Sequence, residues 1–226
     1  MPDITKAEWE TLISNRAGTY AFLARLYRVE ADQALLEQIS SMDLSKEIED
    51  SEIGEGYVLL NRYVEKTNEN TLTELAIDYA KVFLGVDRGS GAFPYESVYT
   101  SEAHLFMQEA RDEVLAAFRA EGLDRAQDFN EPEDHIALEF EFMAILCQKA
   151  LEALQQGVEE QAISFLEKQK QFLEEHILNW VPDFCRDVEQ SAQTDFYMAA
   201  AKITQGYLNL EGTLIDELLQ EIPRDA

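Results

Sequence analysis

Glu131-Pro132-Glu133-Asp134-His135-Ile136 is the densest group of reactive side chains in this 226-residue chain, and it holds one of only three histidines. A histidine among carboxylates is the material of general acid/base catalysis or of a metal centre. Glu139 follows His135 by four residues, so the two can meet if a helix runs through them. Spacing argues against the metal. Di-iron bundles need Glu-x-x-His pairs on facing helices, whereas Glu131 stands four before His135, and Glu102-Ala103-His104 and Glu175-His176 are too close. Zinc would need a His-x₃-His or a cysteine pair, and neither occurs. Asp134-His135 also reverses the His-Asp order of helical metal phosphohydrolases. A Cys147 nucleophile would lie about 18 Å from His135 along one helix, out of its reach. Cys185 with His176 or His104 stays open. Two readings of the junction remain: His135 and Glu139 satisfy each other in the core, or together with Asp134 they face a cleft and meet a ligand.

The elements around the junction must position it. On a helical wheel Ile136, Phe140, Met143, Cys147, Leu151 and Leu154 form one apolar stripe, Phe142 and Leu146 a second, and Glu141, Gln148, Glu152 and Gln155 a narrow polar face. This predicts a helix over 137–154, capped by Asn130 or Glu131 with Pro132 in its first turn, and with Glu133 and Asp134 at the positive end of its dipole. Residues 85–99 are the longest non-helical stretch. Gly89-x-Gly91 there lacks the further glycine of a dinucleotide fingerprint and the Lys-Ser/Thr of a phosphate loop. The stretch carries Phe93, Pro94, Tyr95, Val98 and Tyr99 instead, an apolar set that either packs on the core or lines a groove.

Helical spacing accounts for the remainder. Thr5-x-x-Glu8 reads as a capping box with Ile4 and Trp9 as its staple, and opens a helix whose apolar stripe includes Tyr20 and Tyr27. Further helices are expected over 31–39, over 57–64, after a second box at Thr71-x-x-Glu74, over 101–120 up to Gly122, over 162–178, from Pro182, and over 192–219 with a bend near Gly206 or Gly212. The acidic stretch 40–56 reads as solvated helix and loop. No segment alternates as a strand would. The fold class is therefore all-α, about ten helices in a single domain, with an N-terminal half at 1–121, a hinge at 122–130 and a C-terminal half at 131–226.

With 18 basic and 45 acidic residues the formal charge is −27, so a phosphate backbone is repelled and nucleic acid is not an expected partner. A basic peptide is. The two cysteines suit a reducing cytoplasm, and neither an export leader nor a membrane-spanning run is legible.

Glu131-Pro132-x-Asp134-His135 at a helix start, Pro94-Tyr95-Glu96-Ser97-Val98-Tyr99 in the central loop, and Phe172-Leu173-x-x-His176-Ile177-x-x-Trp180-Val181-Pro182 downstream resemble the TorD/DmsD group of cytoplasmic chaperones for molybdoenzymes. The resemblance implies an all-helical protein without catalytic activity, which binds the twin-arginine signal peptide of a molybdopterin-dependent oxidoreductase, or its apo catalytic subunit, and delays export until the cofactor is inserted. It implies a peptide site at Pro94, Tyr95, Pro132, Asp134 and His135. Guanine nucleotide would be a cofactor by this resemblance only, and helix exchange across 122–129 would allow a domain-swapped dimer beside the monomer. A twin-arginine signal has a basic end and an apolar middle. Asp134, Glu131 and Glu96 are therefore expected to face the arginines, and Tyr20, Phe93, Tyr95 and Tyr99 to cover the apolar part, with Ser97 and Glu139 in the same cleft. The competing expectations are a chaperone acting only on the mature subunit of a nitrate-reductase-like enzyme, and a helical hydrolase using His135 and nearby carboxylates.

Overall fold

Glu8 N donates to Thr5 Oγ1 (3.3 Å) and Thr5 N to Glu8 Oε2 (2.8 Å), the reciprocal pair that satisfies two donors at the start of a helix. From this box α1 runs over Lys6–Arg28. The computed structural model describes residues 5–42, 51–86, 91–124 and 129–222. Ile4, Gly89 and the central part of the expected hinge lie outside them.

Nine further helices follow among the described residues: α2 Gln33–Ser41, α3 Glu52–Val64, α4 Thr71–Phe83, α5 Glu96–Thr100, α6 Glu109–Ala120, α7 Ile136–Gln155, α8 Glu159–Phe172, α9 Val181–Ser191 and α10 Asp195–Glu221. A π turn, Leu173–Ile177, continues α8. The fold is all-α, as the periodicity predicts. α1 packs along α7 and α3 along α10, so these two early helices are each covered by a late one.

Several boundaries differ from the expected ones, each for a local reason. α3 begins at Glu52 because Ser51 Oγ accepts from Gly54 N. Gly54 and Gly56 lower helix propensity, which hid this start from pattern reading. Thr71 does not form a capping box: its Oγ1 accepts from Asn68 N at 2.8 Å, outside the helix. Residues 101–108 are not helical, since His104 and Met107 take left-handed backbone (φ 49° and 56°). Gly122, at φ 71°, follows α6 as expected. α10 runs unbroken through Gly206 and Gly212. At Gly206 the missing side chain serves close approach instead: a Cβ there would stand 2.6 Å from Ile53 N.

A bidentate ion pair lies in the core. Arg16 Nε and Nη2 donate to Glu211 Oε1 and Oε2, both at 2.8 Å, and Tyr20 OH donates to Glu211 Oε2 at 2.7 Å. All three residues are buried. Tyr20, expected at the edge of a peptide cleft, therefore presents no surface to a peptide. The stripe reading of α1 is blind to a partner 195 residues away.

Replacing Arg16 by Leu strands the Glu211 charge in the core and should cost about 3–5 kcal/mol of unfolding free energy. A lowered urea midpoint at unchanged slope would show it. The R16L/E211L variant should regain most of the loss.

Candidate functional site

The junction before α7 and the segment before α5 are one structure. Ile136 N donates to Pro94 O (2.9 Å), Glu96 N to Asp134 O (3.0 Å) and Ser97 N to Asp134 Oδ2 (2.9 Å). Tyr95 and His135 thereby form an antiparallel bridge. Their rings meet edge-on at 5.1 Å, and Phe129 meets His135 in the same way at 5.2 Å. The Arg28 guanidinium lies 4.3 Å above Phe129.

His135 itself caps α7, with Nδ1 accepting from Ala137 N at 3.1 Å. The cap is thus neither Asn130 nor Glu131, and Pro132 precedes the helix in a turn closed by His135 N donating to Pro132 O. An Nδ1 that accepts carries no proton. Burial, and then the nearby Arg28 charge, lower the His135 pKa to about 3, so the ring is neutral at physiological pH. His135 and Glu139 are both buried, as the helical wheel requires, but they take different partners.

Glu139 Oε2 accepts from Trp180 Nε1 at 3.2 Å, and that indole also donates to His176 O at 2.7 Å. Glu96 accepts from Asn179 Nδ2 at 2.8 Å and its other oxygen lies 3.1 Å from His176 Nδ1. Glu96, Asp134 and Glu139 are all buried. Burial raises Asp134, opposed by the Ser97 hydrogen bonds. Burial, then the Glu96 and Asp134 charges, push Glu139 well above the usual carboxylate range. A protonated Glu139 can donate to its neighbour Glu96, and this relieves the repulsion of three adjacent acids.

The surface of the site is consequently different from the expected one. Glu96 and Asp134 form its floor and cannot meet an arginine directly. Half-buried Phe93, Tyr95, Glu131 and Pro132 form its face. Tyr95 OH donates to Glu131 Oε2 at 2.6 Å. Glu133 is buried and paired with Arg111. Tyr99 turns towards α9, where its hydroxyl donates to Asp187 Oδ2 (3.0 Å) and its ring lies 5.4 Å from Trp180. Phe106, which the expected helix over 101–120 would enclose, packs edge-on against Phe93 (5.8 Å) and Tyr95 (4.9 Å). Its place was not legible because the left-handed residues that turn it carry no glycine to announce them. A cleft of about 250 Å³, floored by Phe142 and Phe172, opens beside His176.

A family model described as nitrate reductase delta subunit matches residues 47–186, a span that contains both bridged segments, Glu139 and the His176–Trp180 turn, and excludes Arg28, Asp187 and the Arg16–Glu211 pair. The protein named Chaperone protein TorD of Vibrio cholerae is 35% identical over 162 residues, covering 72% of this chain and 70% of the relative. The chain belongs to the TorD/DmsD family of molybdoenzyme-maturation chaperones. Two more relatives carry the TorD name: that of Photobacterium profundum is 31% identical over 150 residues, 66% of this chain and 68% of its own, and that of Aliivibrio salmonicida is 29% identical over 205 residues, 87% and 92%. TorD-family proteins are chaperones and not enzymes, so the hydrolase reading of His135 falls. The geometry agrees, since a neutral imidazole committed to a helix cap is a poor acid or base.

The two perturbed groups have opposite pH signatures. His135 has a depressed folded pKa, so its contribution to stability is present above about pH 6.5 and is lost as pH falls towards about 3. Its ring signals in NMR should show no titration near pH 6.5. Glu139 has a raised folded pKa, so its contribution is present below the ordinary carboxylate value and fades as pH rises through the raised one. Glu139→Gln, which mimics the neutral acid, should flatten the decline of the urea midpoint above pH 5.

Proposed function

We propose that this TorD-family chaperone binds the twin-arginine signal peptide of a molybdopterin-dependent oxidoreductase at the joined face of residues 93–95 and 131–132, and withholds the client from export until its cofactor is inserted. The observation that carries the reading is the Tyr95–His135 bridge. It fuses the two segments into one rigid face, apolar through Phe93, Tyr95 and Pro132 and acidic through Glu131. A peptide with arginines beside an apolar run matches both halves of that face. Asp134, Glu96 and Glu139 support the face from below, and Ser97 ties it to Asp134.

The acidic surface favours such a partner over nucleic acid, because the chain carries −27. No helix among the described residues is long and apolar enough to cross a membrane, and export control places the work in the cytoplasm. The match to a nitrate reductase delta subunit model supports a second reading, in which the mature subunit alone is recognised.

Titration calorimetry of the whole chain with a synthetic signal peptide separates the two. Tyr95→Ala should weaken binding about tenfold, the worth of one good contact, and Glu131→Gln by about fivefold or less, the worth of a partly solvated ion pair. Affinity unchanged in both variants would remove this face as the site. A client lacking its signal that binds as well as the full precursor would favour the mature-subunit reading.

A further inference from the structure

Leu105, Phe106 and Met107 are consecutive and exposed, at 56%, 46% and 61%. Scattered apolar residues on a surface need no explanation, but three in a row on one loop do. The loop is also held in place. His104 and Met107 occupy left-handed backbone (φ 49° and 56°), which non-glycine residues keep only where their surroundings impose it. Here the imposing bonds are visible: His104 Nδ1 lies 2.9 Å from Val98 O, Gln108 N donates to Ser97 Oγ at 3.1 Å, and Gln108 Nε2 donates to Phe106 O at 2.8 Å. Ser97 in turn rests on Asp134. The Phe106 ring then closes edge-on against Phe93 and Tyr95.

We propose that the Leu105-Phe106-Met107 loop, continuous with Phe93 and Tyr95, is the shelf that receives the apolar segment of a peptide whose other end is basic. This rests on the reading of the preceding subsection and deepens it by assigning the apolar subsite. Charge selects the occupant. Exposed Glu102 and Glu109 flank the loop in sequence, and Glu131 is bonded to Tyr95. A second copy of the chain would bring the same acidic rim against this one, and an anionic lipid surface would meet a chain of net charge −27; both are repelled. An apolar run next to arginines satisfies the shelf and its rim together.

Ser97 is buried and touches no peptide, so it acts as a positioning residue, passing the fixed place of Asp134 on to Gln108 and the loop. This explains why a buried carboxylate can govern an exposed apolar surface.

The test uses the whole chain and two synthetic peptides, one with paired arginines followed by an apolar run of leucine and alanine, the other with that run replaced by serine and glycine. The wild type should bind the first more tightly than the second by about tenfold or more. Leu105→Ser/Met107→Ser changes only exposed side chains, so its thermal melt should match the wild type, while it binds both peptides alike, at the level of the second. Ser97→Ala should speed hydrogen exchange at the Gln108 amide and weaken the first peptide selectively, a discrimination that loss of stability alone would not produce. A double variant that still discriminates as the wild type does would overturn the shelf and leave the proposed function standing. A wild type that binds neither peptide would overturn both. A double variant with unchanged peptide affinity that turns a dimer into a monomer in sedimentation would assign the loop to a second copy, and would overturn the proposal.

Discussion

A carboxylate taken out of water must be met by donors or carry a proton, and Asp134 sits under that constraint at full burial. Ser97 N meets one oxygen, and the Asp134 carbonyl accepts from Glu96 N. These bonds tie together stretches of chain about forty residues apart. Neither can shift without stranding a buried acid and leaving the Pro94 carbonyl without Ile136 N, a loss of about 1–3 kcal/mol for each unsatisfied group. The place of Tyr95 beside His135, the seat of Phe106 on Tyr95 and the start of α7 all follow from that tie. It is a short sheet-like pairing used as a clamp in a helical protein.

The chain uses its acids in two ways. Most lie on the surface and set a negative field. Glu96, Asp134 and Glu139 lie inside, where Asn179, Trp180 and Ser97 supply donors and raised proton affinity spares at least Glu139 its charge. The π turn at Leu173–Ile177 helps here, because a widened turn shifts helical register. His176, Asn179 and Trp180 come from this turn and the residues just after it to meet Glu96 and Glu139. A cluster that resembles an acid/base centre in sequence is therefore a scaffold in structure.

How much of this could be read from sequence depended on the range of each interaction. The stripes of α7 and the capping box at Thr5 were legible because helical period and cap spacing are local. His135 and Glu139 could be placed beside an apolar stripe for the same reason. What joins Tyr95 to His135 was not legible from periodicity, since a single bridge leaves no repeat, and only the family resemblance brought the two segments together. Arg16 with Glu211 spans 195 residues and left no trace. The imidazole cap escaped because histidine is an uncommon N-cap, while Pro132 suggested a helix beginning earlier than it does.

The division between buried and exposed acids bears on how such a face can hold a basic peptide. An arginine brought to Asp134 or Glu96 would have to lose its water and enter the closed interior, where both residues are buried, a desolvation cost of several kcal/mol for each ion. An arginine brought to Glu131 stays partly solvated, and an ion pair at such a place is worth at most about 1 kcal/mol. Charge at this surface can thus orient a peptide and hasten its arrival, and it supplies little of the binding energy. That energy has to come from apolar contact, at about 25 cal/mol per Å² removed from water. The exposed apolar area that adjoins the clamp is the loop of Leu105, Phe106 and Met107 with the rings of Phe93 and Tyr95. A buried acid that fixes an apolar surface, and a surface acid that steers a basic one towards it, are different tasks for the same side chain. On the proposed reading of the face, the first falls to Asp134 and the second to Glu131.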